Sequence, residues 1–224
     1  MTDPKSAIDW GRDLVSDLRH TNLYAPAECN ITTQAGKRRS SLTRRRVITL
    51  TGAGTAMGLA GCLSADTPAA VALTDEDACD VCGMVIPHHP GPSAEVFYRN
   101  KEPSGHANPA RFDSTWEAFE YDFERLDRGW TRAAFYVTDY SAVEYDLVTE
   151  GGRTLISTHT ESDTFAFAAD VTFVVDSSVE GAMGRDLIGF SKQSDATAFQ
   201  DEHGGSIATF DDVTRSMIAG LAQR

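Results

Sequence analysis

Two cysteines, a methionine and two histidines lie within the eleven positions from Cys79 to His89. Thiolate and thioether sulfur bind soft metals well, so this donor set favours Cu(I) above other ions. Cys79 and Cys82 are three positions apart, a spacing that suits a tight turn with both sulfurs at one centre. If the backbone is extended after Cys82, Met84 leaves the same face as Cys82. Gly83 gives the backbone between them unusual freedom.

The same spacing is compatible with other kinds of site. In an exported protein, Cys79 and Cys82 can form a structural disulfide. A thioredoxin-like redox pair should lie between a strand and a helix, whereas Met84 and a Pro-His-His-Pro run follow here. A structural zinc site needs four ligands, usually with a second Cys/His pair, and the sequence has no such pair.

The charge of the chain changes sharply at residue 62. The whole chain of 224 residues carries a formal net charge of −13. Residues 1–61 hold nine Lys and Arg against five Asp and Glu, whereas the rest hold 11 against 28. Nucleic-acid binding needs a basic surface, so we expect no nucleic-acid partner. The acidic composition is typical of proteins that stay soluble in strong brine.

The basic amino-terminal part contains an export signal. Thr43 to Ile48 follows the twin-arginine pattern, and a Gly/Ala-rich apolar run from Leu50 to Ala60 comes next. This run is too short for a transmembrane helix and has the proportions of a signal peptide. Leu-Ala-Gly-Cys, ending at Cys62, matches a lipobox. We expect cleavage before Cys62 and attachment of lipid to its sulfur.

These features divide the chain into three parts. Residues 1–61 are an amino-terminal extension plus the signal, residues 62–78 are a tether, and residues 79–224 are a metal-binding domain. The mature protein should lie on the extracytoplasmic face of the cell membrane, held by its lipid. With Cys29 removed and Cys62 lipidated, Cys79 and Cys82 are the only free thiols.

The domain is predicted to be a small α+β body. Three strands are expected at residues 94–98, 110–112 and 132–139. Between the second and the third, a capping box from Ser114 to Glu117 predicts the start of a helix, and Gly129 stops it. The second half repeats this order at 171–176, 187–190, 195–202 and 206–210. Each half is too small to bury a core alone, so the pattern indicates tandem ββαβ units packed together. The helix stripe of Trp116, Phe119, Phe123 and Leu126 should be core.

A second methionine is a candidate ligand. Met183 stands between Ala182 and Gly184 in a glycine-rich loop. Such a loop position is poorly suited to core packing, so a metal-ligand role and a packing role are both open. Met217 falls in an apparent terminal helix, where packing is the better interpretation.

Several short motifs, in this order, resemble the NosL family. They lie within residues 79–210, and they are Cys82-Gly83-Met84, His89-Pro90-Gly91-Pro92, Tyr136-Val137-Thr138-Asp139, Val174-Val175-Asp176-Ser177, Ala182-Met183-Gly184 and Glu202-His203-Gly204-Gly205. NosL proteins are copper-binding lipoproteins that help to assemble nitrous-oxide reductase. The resemblance implies a tandem ββαβ fold like the carboxyl-terminal part of organomercurial lyase.

The resemblance also implies a site and a role. One Cu(I) would be held by Cys82 and Met84 as primary ligands, with Met183 and His89 as candidates for the remaining positions. The role would be delivery of copper to nitrous-oxide reductase or its assembly machinery, without catalysis. The alternative is an extracytoplasmic thiol-disulfide oxidoreductase that uses Cys79 and Cys82.

The sequence departs from the family pattern at three places. Many members have a single cysteine before Gly-Met, so Cys79 has no assigned role and is a ligand, a disulfide partner or neither. Ala182 stands where the family usually has proline. Ser93 stands where the family has a basic residue after His-Pro-Gly-Pro.

Overall fold

The computed structural model describes residues 67–223. The predicted export signal, the lipobox with Cys62 and the extension before them lie outside the described residues. Within residues 67–223, no helix has the length and apolar character needed to cross a membrane.

Nine strands and three α-helices form the described part of the chain. The strands are β1 (Ala94–Tyr98), β2 (Ala110–Phe112), β3 (Arg132–Thr138), β4 (Leu147–Glu150), β5 (Arg153–Ile156), β6 (Phe165–Phe167), β7 (Thr172–Gly181), β8 (Gly184–Phe190) and β9 (Ser206–Ala208). The helices are α1 (Thr115–Asp127), α2 (Gln193–His203) and α3 (Arg215–Leu221). A short 3₁₀ turn at Ile86–His88 follows the cysteine motif.

The strands make two sheets. The first has the order β2-β1-β3-β6, with every neighbouring pair antiparallel. The second has the order β4-β5-β7-β8, and β9 also pairs with β7. The pairing of β5 with β7 is parallel, and the other pairings are antiparallel. A parallel bridge between Asp139 and Gly189 joins the two sheets.

The main core lies between α1 and the inner faces of both sheets. Val96 of β1, Phe119 of α1 and Phe173 of β7 are buried there. Alternate residues of β7 point to the opposite face, where Val174 packs under α2 with Phe199. The second sheet is therefore covered on both faces, which fixes the position of the β7–β8 hairpin relative to α1.

The predicted α+β fold is confirmed, and the predicted elements are present. Helix α1 begins after Ser114, whose side chain accepts a hydrogen bond from the Glu117 N–H. The helix ends at Asp127, and Gly129, two residues further on, has a φ of 78°. The observed order contains β1-β2-α1-β3 and β7-β8-α2-β9. That these two stretches are tandem units of one kind remains a prediction.

Three strands were not predicted. Strand β4 is exposed along its whole length, so its residues show no buried alternation. Gly151 and Gly152, both with positive φ, form the two-residue turn that connects it to β5. Strand β6 has only three residues and depends on its pairing with β3. Long-range pairing, not local pattern, creates these elements.

The described end of the predicted tether packs on the domain. We call residues 67–73 the amino-terminal strap. The Tyr136 hydroxyl donates to the Pro68 carbonyl at 2.8 Å, and the Val71 N–H donates to the Glu95 carboxylate at 3.1 Å. Leu73 is buried, and its N–H donates to the Thr160 carbonyl. The strap is thus part of the folded body.

Candidate metal centre

The cysteine motif folds into a closed loop. The Cys79 N–H donates to the Met84 carbonyl at 2.8 Å, and the Gly83 N–H donates to the Cys79 carbonyl at 3.0 Å. Gly83 has a φ of 77°, a conformation that other residues rarely adopt. The backbone after Cys82 is therefore not extended. The condition under which Cys82 and Met84 would leave the same face, an extended backbone, is therefore not met.

Hydrogen bonds to β2 hold this loop in place. The Asp80 N–H donates to the Arg111 carbonyl at 2.9 Å, and the Arg111 N–H donates to the Asp80 carboxylate at 2.8 Å. The other Asp80 oxygen is 2.9 Å from Nε2 of His106, and the Arg111 guanidinium pairs with Asp77. The backbone between the two cysteines is thus fixed beside the end of β2.

Two carboxylates face the thiols from the junction of β2 and α1. The Cys79 Sγ donates to Glu117 at 3.1 Å, and the Cys82 Sγ donates to Asp113 at 3.4 Å. One donor atom from each of these four residues lies within 4.8 Å of all the others. Cys79, Asp113 and Glu117 are buried, whereas Cys82 is half-buried and makes the accessible side of the cluster.

This environment keeps the thiols protonated. Burial raises the pKa of Cys79, and the charges of Asp113 and Glu117 raise it further. Burial is also the main reason that the pKa of Cys82 is raised. Burial, with the charge of Asp113, raises the pKa of Glu117 although the Cys79 thiol donates to it. The cluster thus combines two sulfurs with an excess of negative charge, which a bound cation would offset.

A third buried acid anchors the start of α1. Asp186 of β8 is fully buried, and its Oδ1 accepts hydrogen bonds from the N–H groups of Trp116, at 2.9 Å, and Leu187, at 2.7 Å. The first of these bonds ties the amino-terminal turn of α1 to β8. Asp186 therefore connects the helix end that carries Glu117 to the β7–β8 hairpin.

That hairpin carries Met183. Gly181 pairs with Gly184, so Ala182 and Met183 form a two-residue turn. Met183 is half-buried and packs against the main core, as Cys82 does. The hairpin also contacts the segment after His89, because Gly91 lies directly against Gly181.

The predicted site residues fall into two groups. Cys79 and Cys82 meet in the four-residue cluster, and both are free cysteines. Met84, Met183 and His89 are half-buried and belong to the cysteine loop or to the two segments that meet at Gly91 and Gly181. In residues 67–223, the Cys/Asp/Glu cluster does not include His89. The complete ligand set remains a prediction.

Sequence reasoning missed Asp113 and Glu117 as site residues. Their spacing of four places both at the start of one helix, and Glu117 was interpreted as the second half of a capping box. The structure shows the Ser114 half of that cap, while the Glu117 carboxylate accepts a hydrogen bond from Cys79. Two acidic residues around a predicted helix start were a weak signal of a metal site, because the cysteines lie over thirty positions away in the sequence.

Comparison with known proteins identifies the family of the chain. The copper-binding lipoprotein NosL of Stutzerimonas stutzeri is 29% identical over 171 residues, which are 75% of this chain and 80% of the relative. The crystal structure of the copper chaperone NosL from Shewanella denitrificans is 29% identical, with a TM-score of 0.53, over 66% of this chain and 96% of that one. The NosL family model matches residues 70–218. The chain belongs to the NosL family.

Proposed function

We propose that this chain is an exported, lipid-anchored metallochaperone that binds Cu(I) and passes it on without catalysing a reaction. The observation that carries the proposal is the convergence of both cysteine sulfurs at a half-buried site rich in negative charge. The names of the two relatives, a copper-binding lipoprotein and a copper chaperone, support the same role.

The donor set fits Cu(I) through its sulfurs. Cys82, with Met84 and Met183, would hold the ion, because thiolate and thioether suit a soft metal. Carboxylate oxygens are poor Cu(I) ligands, so Asp113 and Glu117 would act as acceptors for the thiol protons and as counter-charges. Cys79 is buried against Glu117, a position that suits a second sulfur ligand. His89 is the candidate for the remaining position.

The exposure of the site suits transfer of its cargo. Cys82 is half-buried, and the neighbouring Val81 is 46% exposed. An incoming ligand can therefore approach from the Cys82 side, while the buried carboxylates hold the rear of the site in place. Transfer would proceed by exchange of ligands on the cargo ion.

The direct test is a Cu(I) titration of the reduced, anaerobically purified protein. We expect about one Cu(I) per chain, because the sulfurs converge on one centre. Cys82→Ser should lower the affinity most, and Met84→Leu should lower it less. Met217→Leu is the control, because Met217 packs on the core and is far from the cysteine loop in the sequence. Zn²⁺ should be titrated in parallel, since two thiolates and two carboxylates also suit that ion; preference for Zn²⁺ would contradict the proposal.

We propose nitrous-oxide reductase, or its assembly machinery, as the recipient. The support is the resemblance of the motifs to a family associated with that enzyme. A deletion strain should then contain copper-poor reductase and accumulate nitrous oxide at limiting copper, and a Cys82→Ser gene should not rescue it. A fully metallated reductase in the deletion strain would point to another recipient.

The alternative, a thiol-disulfide oxidoreductase, is opposed by the electrostatics of the thiols. Reactive cysteines have lowered pKa values, usually beside a cation or a helix amino terminus. Burial and neighbouring carboxylates raise the pKa of Cys79, and burial raises that of Cys82. If the alternative were correct, Met84→Leu would leave the activity of the protein unchanged.

We also infer that the two halves of the domain are tandem ββαβ units. In the first, β1 pairs with both β2 and β3; in the second, β7 pairs with both β8 and β9. Each helix stands between the second and third strands of its unit. If the units are equivalent, superposition of one on the other should align α1 with α2; a failure to do so would contradict this inference.

A further inference from the structure

Two glycines meet where the segment after His89 crosses the β7–β8 hairpin. A β-carbon added to Gly91 would lie 2.7 Å from the Cα of Gly181. One added to Gly181 would lie 3.1 Å from the Cα of Gly91 and 3.1 Å from Cδ of Pro92. Real β-carbons are rarely found so near other atoms. The approach of these two backbones therefore depends on glycine at both positions.

The contact lies next to the Met183 turn. Gly181 is the last residue of β7, and only Ala182 separates it from Met183. On its other side, the hairpin is tied to α1 through the hydrogen bond from Trp116 to Asp186. The turn is thus held from two directions, by the helix that carries Glu117 and by the segment that follows His89.

We propose that Gly91 and Gly181 are positioning residues, whose contact sets the place of Met183 relative to the cysteine loop. This inference rests on the proposed function, because it assigns the contact a role in Cu(I) binding. The physical reason is that a side chain at either position would push the hairpin and the crossing segment apart. Met183 would then change its position relative to the thiol sulfurs with which it is proposed to bind the ion.

Gly181→Ala is the sharper of the two substitutions. Gly91 has a φ of 125°, so a side chain there also strains the backbone, whereas Gly181 has no such conformation. The added methyl group therefore acts through contact alone. Two other glycines serve as matched controls. Gly152 has a φ of 85° with open space around it, in the β4–β5 turn, and Gly220 lies in α3 with open space.

The experiment measures Cu(I) affinity and thermal stability of the full chain. Gly181→Ala should weaken Cu(I) binding roughly 10- to 100-fold, the usual effect of disturbing residues that orient metal ligands. Gly152→Ala should lower the melting temperature, because its backbone conformation is strained for alanine, without changing the affinity. Gly220→Ala should leave the Cu(I) affinity unchanged, because open space surrounds this position.

A double-mutant cycle separates positioning from a general loss of structure. In the Met183→Leu background, Gly181→Ala should cause no further loss of affinity, because the ligand that it displaces is already absent. Pro92→Ala provides a second variant, since it removes the ring carbon beside Gly181 and so disturbs the contact by loosening it, not by crowding it. It should weaken binding in the same direction, again only when Met183 is present.

The possible results distinguish this inference from the proposed function. Unchanged affinity in folded Gly181→Ala and Pro92→Ala proteins would overturn the positioning role and leave copper binding intact. An equal loss with and without Met183 would overturn it as well. If the wild-type protein bound no Cu(I), the proposed function itself would fail.

Discussion

Replacing Asp186 with asparagine should stabilise the protein at neutral pH and above. Asp186 is fully buried, its Oδ1 accepts hydrogen bonds from two backbone N–H groups, and its Oδ2 has no hydrogen-bond partner within residues 67–223. Burial raises the pKa of Asp186 from its ordinary 3.8 to about 7. Asparagine keeps an acceptor oxygen for Trp116 and Leu187 and has no charge to bury.

The direction and size of this change in stability follow from the pKa values of Asp186 in the folded and the unfolded chain. Below pH 3.8 the carboxyl is protonated in both the folded and the unfolded chain, so it imposes no penalty. As the pH rises from there to about 7, only the unfolded chain releases the proton, and the wild-type protein loses stability. A difference of one in pKa between the folded and unfolded chain corresponds to ~1.4 kcal/mol. The difference of about three therefore sets an upper limit of about 4 kcal/mol on the loss of stability. We expect part of this, about 1–3 kcal/mol, because the new amide N–H₂ must also be buried.

Urea unfolding at fixed salt, repeated from pH 4 to pH 8, measures this difference. The gain in the free energy of unfolding for Asp186→Asn should grow with pH and level off above about pH 7. Asp170→Asn, at an exposed side chain, controls for the removal of one negative charge from an acidic surface. A difference that does not change with pH would refute the reasoning, since it would show that burial does not shift this carboxyl.

Local signals in the sequence were sufficient for much of the fold. Ser114 before an amphipathic stretch and Gly129 after it predicted the bounds of α1, because capping and a positive φ act within one turn. Strand β1 was predicted with its correct bounds, since Val96, Phe97 and Tyr98 are of types that favour strands. Strand β7 proved longer than predicted. It continues to Gly181, past the polar residues that follow Val175, because β5 and β8 both pair with its far end.

The local sequence pattern could not predict which strands pair with each other. Nothing near β6 indicates that it should lie beside β3, and the parallel contact of β5 with β7 joins segments that are far apart in sequence. Such pairings are decided by the packing of the whole domain, not by the residues of one strand. The same limit applied to the site.

The turn spacing correctly predicted that the two cysteine sulfurs converge, because residues three apart in a turn are neighbours by geometry. It did not predict Asp113 and Glu117, which reach the thiols only after β2 has docked against the cysteine loop through Asp80. These carboxylates change the chemistry of the motif. They help to raise the pKa of both thiols and so to keep them protonated, whereas the sequence alone left a reactive redox pair as an alternative.

Three further predictions concern the site and its delivery. Asp113→Asn should speed alkylation of Cys82 by iodoacetamide several-fold at pH 8, because the charge of Asp113 helps to raise the pKa of that thiol; an unchanged rate would contradict this. Replacing Arg44 and Arg45 together by lysine should leave precursor in the cytoplasm, as fractionation and immunoblotting would show. Cys62→Ser should release the protein from the membrane fraction. The released protein should still bind Cu(I) with wild-type affinity, because the amino-terminal strap is held by hydrogen bonds and the buried Leu73, not by the lipid. It should nevertheless rescue a deletion strain poorly, since delivery needs the protein near its recipient. Weak copper binding by the released protein would show instead that the anchor supports the fold.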